Sequence, residues 1–212
     1  MKPPTRKPFS EACERNRLPI AEVLSPTLTV GRKNVLEIGS GTGQHAVFLA
    51  RRFPECFWQT SDLPQHHPGI AAWLSDSGLS NIGEPVAMDV REPIPGNLVG
   101  RYDVVFTANT LHFMAVSAGL SLLDMAWAAL KDGGCLWVYG PFNRNGDFTS
   151  EGNARLDAWL KLGDPERGIR DLQWLKDNAA RTGLELVQER NMPANNLMLQ
   201  FSKRDIAHPQ PV

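Results

Sequence analysis

Val35-Leu36-Glu37-Ile38-Gly39-Ser40-Gly41-Thr42-Gly43-Gln44-His45 is the stretch that decides how this chain is read. A short apolar run carries Glu37 near its end, glycines alternate at 39, 41 and 43, and Ala46, Val47, Ala50 and Phe53 then share one helical face. The order is strand, glycine turn, helix. Glycine reaches positive φ without strain and has no Cβ, so a ligand can lie directly on the backbone there. The helix that follows aims free N–H groups and the positive end of its dipole at that ligand.

Spacing decides which ligand. A dinucleotide fingerprint would be G-x-G-x-x-G, whereas here position 44 is Gln and the third glycine arrives one residue early, at Gly43. E-x-G-x-G-x-G instead resembles motif I of the class I S-adenosylmethionine (SAM)-dependent methyltransferases. That resemblance implies that Gly39, Gly41 and Gly43 wrap the methionine and ribose portions of SAM, and that Glu37 reaches the methionine ammonium. Glycine turns of this kind also occur for steric reasons alone, so the weight falls on the segments downstream.

The second strand is expected over 56–61 and ends in Asp62, 23 residues after Gly39. A Rossmann-like fold places a carboxylate at about this spacing on the ribose hydroxyls, because one acid can accept from both hydroxyls of a cis-diol. After a helix over 70–77, stopped by Gly78, a strand over 84–88 leads to Asp89-Val90 on the ligand side of an open α/β sheet. The methyltransferase resemblance implies that Asp89 contacts the adenine amine and that Val90 packs on the ring. A fourth strand over 102–108 leads into Asn109-Thr110-Leu111-His112-Phe113, and Asn109 and His112 are expected to face the crevice at the topological switch point.

A helix over 118–130, closed by Asp132-Gly133-Gly134, precedes a strand over 135–139. Residues 141–153 read as a polar lid, 156–162 as a helix, and Gly168-Ile169-Arg170-Asp171 as the opening of a helix to 181. Strands over 184–189 and 197–202 are joined by a link too short for a parallel crossover, so they pair antiparallel. Upstream, a helix over 10–24 is capped by Ser10 and carries Glu14-Arg15-Asn16-Arg17, by itself a solvated charged face. Residues 1–9 and 205–212 read as a flexible lead-in and tail around one domain over 10–204.

Composition narrows the class. Hydrophobic content of 42% and charged content of 21% are ordinary globular values. Twenty-two basic against 23 acidic side chains leave a net charge of −1, without the basic field that recruits nucleic acid. Cys13, Cys56 and Cys135 are odd in number and widely spaced, which argues against a disulfide frame or a zinc site. His66-His67-Pro68 has no partner ligands at metal-binding spacing, so no metal is expected. The N-terminus lacks the apolar core of a secretory signal and no apolar run reaches membrane-span length, so a cytoplasmic protein is expected.

Taken together, Ala12-Cys13-Glu14-Arg15-Asn16-Arg17, the glycine loop, Gln59-Thr60-Ser61-Asp62, Tyr139-Gly140-Pro141-Phe142, Gly168-Ile169-Arg170-Asp171 and Met192-Pro193-Ala194-Asn195-Asn196 resemble one small family. It is the domain-of-unknown-function family that includes methyltransferase-like 26, and the resemblance covers about residues 9–204. The family often has proline before the Ser-Asp pair, where this chain has Thr60. The resemblance implies a Rossmann-like class I methyltransferase fold: a seven-stranded, mostly parallel sheet with an antiparallel C-terminal hairpin and helices on both faces. It also implies SAM binding, and it moves Arg15 and Asn16 from a solvated face to the ligand side.

Methyl transfer from a sulfonium is a displacement in which positioning supplies much of the catalysis, and a general base serves only when the nucleophile must lose a proton. His112 is the candidate base, with Asn109, also a candidate cofactor contact, and Arg170 orienting a small polar acceptor. A D/N-P-P-Y/F element, expected for methylation of nucleic-acid amines, is replaced by Asn109-Thr110-Leu111-His112. Two other readings compete: a SAM-binding protein without transferase activity that serves a partner, and a nicotinamide-dependent oxidoreductase, against which the early third glycine and terminal hairpin weigh.

Overall fold

The computed structural model of the chain describes residues 7–204. It is an α/β structure whose seven strands form one sheet in the order β3-β2-β1-β4-β5-β7-β6. Its packing divides into two compact units, one ending at Glu92 and one beginning at Pro93.

The first unit holds α1 (Glu11–Leu28), β1 (Asn34–Ile38), α2 (Gln44–Arg52), β2 (Phe57–Asp62), α3 (His67–Ser77) and β3 (Ile82–Ala87). The Ser10 side chain accepts from the Cys13 N–H and caps α1, as its position ahead of the helix implies. The helix runs on to Leu28 through Pro19 and Pro26. Each proline removes a donor, and the buried stripe of Ile20, Ala21, Leu24 and Leu28 offsets that cost by packing. Strands β1, β2 and β3 pair in parallel. β3 begins at Ile82 rather than Glu84, because the β2–β3 register shifts between Gln59 and Ser61. Thr60, where the family often has proline, donates its hydroxyl to the Gly83 carbonyl at 2.9 Å and so ties β2 to β3. Residues 1–6 of the expected lead-in lie outside the described residues, as does the 205–212 tail. Lys7 and Pro8 of that lead-in are anchored on α3: Lys7 pairs with Asp76 at 2.7 Å, and the Trp73 indole donates to the Pro8 carbonyl at 2.7 Å.

The second unit holds β4 (Tyr102–Ala108), α4 (Val116–Ala129), β5 (Leu130–Pro141), α5 (Glu151–Gly163), α6 (Leu172–Thr182), β6 (Leu184–Met192) and β7 (Asn196–Lys203). β4 and β5 are parallel, and β7 runs antiparallel to both β5 and β6. The Asp132-Gly133-Gly134 segment lies within β5 as a bulge instead of closing α4: Tyr102 pairs with Leu130, but Val104 pairs with Cys135. A Cβ at Gly134 would lie 2.9 Å from the Lys131 carbonyl oxygen, so the bulge requires glycine. The turn signal was real, but strand pairing absorbed it. None of the three cysteines is in a disulfide. No helix among the described residues is long and apolar enough to cross a membrane.

Candidate active site

In the first unit the glycine loop leaves the carboxyl end of β1. Gly39, Gly41 and Gly43 all have positive φ, at 76°, 57° and 86°. The loop is pinned on both sides, since the Gly39 and Ser40 N–H groups donate to the Ser61 carbonyl at 3.0 Å and Gly43 N–H donates to the Ser40 carbonyl at 2.8 Å. The last two glycines differ in kind. Gly43 is buried where a Cβ would stand 3.1 Å from Ile70 Cα and 3.3 Å from Trp73 Cβ, whereas a Cβ at the exposed Gly41 would have nothing within 4 Å. The first serves close packing of α2 on α3; the second opens a face of backbone to a ligand.

Glu37 sits on β1 directly behind this loop and is 1% exposed. Burial raises its pKa to about 7, opposed by hydrogen bonds from Trp58 and Ser40. The Trp58 indole donates at 3.1 Å and the Ser40 hydroxyl at 3.0 Å, both to Oε2. A buried carboxylate held by one oxygen leaves its other oxygen for a cationic ligand, so the residue fits a ligand ammonium.

Asp62 ends β2 and belongs to the loop structurally. Its Oδ2 accepts from Gly41 N–H at 2.7 Å and its Oδ1 from Leu63 N–H at 2.7 Å. Each carboxylate oxygen has two lone-pair directions, so Asp62 retains capacity for a diol while holding Gly41 in place. Asp89 follows β3 and is chelated by Arg91, whose Nε donates to Oδ1 at 2.9 Å and whose Nη2 donates to Oδ2 at 2.5 Å. That hydrogen-bonded pair lowers the Asp89 pKa. A ligand amine at Asp89 must displace the exposed Arg91 side chain, a competition invisible in the sequence. Val90 beside it is buried.

The structure separates the two α1 residues. Arg15 is exposed and pairs with Glu11 at 3.5 Å. Asn16 is buried, and its Oδ1 lies 2.7 Å from His45 Nε2. Burial pushes the His45 pKa down to about 4, so the ring is neutral and donates from Nε2 to the amide oxygen. Gln44 makes a second tie, because its Oε1 accepts from Ser10 N–H at 2.6 Å and its Nε2 donates to Glu14 Oε1 at 3.0 Å. Thus Gln44 and His45, the residues after the last glycine, fasten α1 to the glycine loop. Trp58, Gln44 and His45 were missed as site residues. The signal was present for the latter two, as polar side chains at the start of an otherwise apolar helix, but their partners lie about thirty positions away.

In the second unit Asn109 follows β4 in a left-handed conformation, φ 55°, and its N–H donates to the Tyr139 carbonyl at 2.8 Å. His112, in a short 3-10 turn over 111–113, is 5% exposed. Burial, and then the Arg170 guanidinium near it, pushes its pKa down to about 4. At neutral pH it is therefore an uncharged imidazole and a weaker base than its residue type implies. Around Gly140 on β5, a built Cβ would be 3.8 Å from Asn109 Oδ1 and 3.9 Å from His112 Nδ1. These two side chains are brought together.

Arg170, expected to orient the acceptor, is largely engaged by the protein's own backbone. It is 9% exposed, its Nη2 donates to the Met114 and Glu166 carbonyls, and its Nε is buried without a partner. Asp157, the acid whose charge acts on Arg170, is itself paired with Lys161 at 2.6 Å and accepts from Ile169 N–H at 2.8 Å. The Gly168-Ile169-Arg170-Asp171 motif is thus largely architectural. Asp171 caps α6 and accepts from Gly146 N–H at 2.8 Å, which fastens the expected lid segment to the α6 start. The β6–β7 turn is similar: Ala194 and Asn195 are left-handed, and Asn196 donates to the Pro193 carbonyl at 3.0 Å. No cluster of three metal-binding side chains occurs among the described residues.

The sheet order, the glycine loop after β1 and the antiparallel β7 define the Rossmann-like class I methyltransferase fold. Solved structures agree with it. An O-methyltransferase family protein from Burkholderia thailandensis superposes with a TM-score of 0.79 at 19% identity, over 91% of this chain and 57% of its own. The SAM-dependent methyltransferase SibL gives 0.75 at 20% identity, over 92% and 56%. PigF, solved with SAH, gives 0.72 at 21% identity, over 92% and 64%. The chain therefore spans somewhat over half the length of these proteins. It belongs to the family described as "Protein of unknown function (DUF938)", whose model matches residues 7–203.

Proposed function

We propose that this chain is a SAM-dependent methyltransferase acting on a small polar molecule, a cytoplasmic enzyme of the kind typified by methyltransferase-like 26. The observation that carries the reading is the exposed, left-handed Gly41, open above its Cα and held from beneath by Asp62. The cofactor supplies an electrophilic methyl group on a sulfonium. Glu37 holds the amino-acid ammonium, Gly39, Gly41 and Gly43 present bare backbone, Asp62 accepts from the ribose hydroxyls, and Asp89 with Val90 receives the adenine.

Asn16 acts through His45, keeping α1 on the loop, and Arg15 contributes from the exposed rim of the same helix. Asn109 and the neutral His112 orient the nucleophile, while Arg170 contributes the field of a buried cation and the ties that hold the His112 turn. The near-neutral chain supports a small acceptor over a nucleic acid, whose phosphates need a basic surface.

Thermal shifts recorded separately with SAM, S-adenosylhomocysteine and NAD test the cofactor. Stabilisation by the first two and not by NAD is expected, and stabilisation by NAD alone overturns the reading. Labelled SAM added with the protein to a cell extract tests the acceptor class: label confined to the macromolecular fraction sinks a small acceptor.

A further inference from the structure

His66 and His67 stand beside the acid that ends β2, within the first unit. Asp62 has one acceptor position left on each carboxylate oxygen, since Oδ2 already accepts from Gly41 N–H and Oδ1 from Leu63 N–H, both at 2.7 Å. Its side chain is only 11% exposed, and His66 Nε2 lies 4.0 Å from Oδ1. That gap is too long for a direct hydrogen bond. The His66 side chain is 49% exposed, and its ring makes no hydrogen bond among the described residues. The neighbouring ring is used differently, because His67 Nε2 lies 2.9 Å from the Asp62 carbonyl oxygen. One histidine ties the turn down, and the other faces the acid with its donor unspent.

The turn fixes this placement before any ligand arrives. Pro64 opens a 3-10 turn over Pro64–His66 with its ring-locked φ, and His66 N–H donates back to the Leu63 carbonyl at 2.9 Å. The chemistry of the gap then selects its occupant. An ionised carboxylate only accepts, whereas an imidazole with its proton on Nε2 donates there. A phosphate or carboxylate is repelled by Asp62, and an ammonium has nothing to offer a donor. A hydroxyl meets both needs, because it donates its proton to Oδ1 and accepts from Nε2. Two contacts of about 2.8 Å meeting at a hydroxyl oxygen at about 90–110° put their outer atoms about 4.0–4.6 Å apart. The observed 4.0 Å is the width of one hydroxyl group.

We infer that His66 is a cofactor-binding residue, donating from Nε2 to one of the two ribose hydroxyls that Asp62 accepts from, so that this hydroxyl is held on both sides. This rests on the methyltransferase reading of Asp62. The two hydroxyls are then held unequally. The one at Oδ1 meets both the acid and the imidazole, and the one at Oδ2 meets the acid beside Gly41. Losing the first costs the ligand two contacts and losing the second costs it one.

The test is calorimetric titration of the full chain with S-adenosylhomocysteine, and its displacement by adenosine, 2′-deoxyadenosine and 3′-deoxyadenosine. His66→Phe keeps a planar ring without a donor at a half-exposed position. It should weaken S-adenosylhomocysteine and adenosine by about fivefold and leave one of the two deoxynucleosides unchanged, because that one lacks the hydroxyl His66 holds. His66→Gln, which retains an N–H donor, should recover part of the loss. Equal losses for all three nucleosides in His66→Phe would make the ring a matter of shape and overturn the inference. Unchanged adenosine affinity overturns it too, since the gap is then spanned by solvent or by an ion pair between His66 and Asp62. The two readings stay distinguishable. If S-adenosylhomocysteine binds the parent and His66→Phe alike, the His66 assignment alone is wrong; if it does not bind the parent, the methyltransferase reading is wrong and the His66 assignment with it.

Discussion

Gly41 and Gly43, the last two glycines of the loop, should fail for different reasons, and alanine separates them. At Gly41, φ is +57° and no atom lies within 4 Å of a built Cβ, so Gly41→Ala costs only the left-handed backbone, about 1–2 kcal/mol. At Gly43, φ is +86° and the Cβ would meet Ile70 Cα at 3.1 Å and Trp73 Cβ at 3.3 Å. Two helices must then part slightly, which adds an overpacking term of about 1–3 kcal/mol. Gly43→Ala should therefore cost about 2–5 kcal/mol in all. Urea denaturation reads this difference as a lower midpoint for Gly43→Ala at unchanged slope. Calorimetric titration of SAM into the folded variants should give the opposite ranking. A methyl on Gly41 occupies the backbone face assigned to the ligand, and a loss of about tenfold or more is expected, equivalent to about 1.4 kcal/mol. If both alanines cost the same stability, the packing role of Gly43 is wrong. If Gly41→Ala binds SAM like the parent, that face does not receive the cofactor.

Four further predictions concern buried groups. The Glu37 pKa, raised from 4.5 to about 7, means that the folded state binds a proton the unfolded state has lost, so its contribution falls as pH rises from about 4.5 to 7. Glu37→Gln should be more stable than the parent by about 3 kcal/mol at pH 8 and lose SAM affinity; equal stability at pH 8 would mean the carboxylate is not desolvated. His45 and His112 act oppositely, being held neutral with pKa values near 4, so stability is lost as pH falls from about 6.5 to 4. Glu37→Gln should expose that acid limb, and thermal midpoints across pH 4–8 that stay flat in this variant would contradict both histidine assignments. Gly168→Ala would put a Cβ 2.5 Å from Asp157 Oδ1 at φ +141°, and a loss of about 3–5 kcal/mol by denaturant titration is expected. Asn16→Ala strands a buried imidazole N–H and should cost about 1–3 kcal/mol, much of it absent when introduced into His45→Phe; additive losses would mean the 2.7 Å contact carries no energy.

The sequence by itself determined the strand–glycine–helix unit, the terminal antiparallel pair and the existence of each helix, though α1 ends at Leu28 rather than 24, α3 starts at His67 rather than 70 and α5 at Glu151 rather than 156, because existence follows from short-range periodicity and from φ values that glycine supplies. It determined the 102–108 strand to the residue, and Ser10 as a cap. Other features needed partners far along the chain. Asp132-Gly133-Gly134 reads as a helix stop until β4 pairs across it and turns it into a bulge. Arg170 reads as a group free to orient an acceptor until the Met114 and Glu166 carbonyls claim its Nη2. Glu14-Arg15-Asn16-Arg17 gives no sign of which side chain turns inward until His45 arrives at Asn16. Burial, and with it the protonation of Glu37, His45 and His112, belongs to the same class. Desolvation is set by what packs around a group, and only the tertiary structure brings those neighbours together.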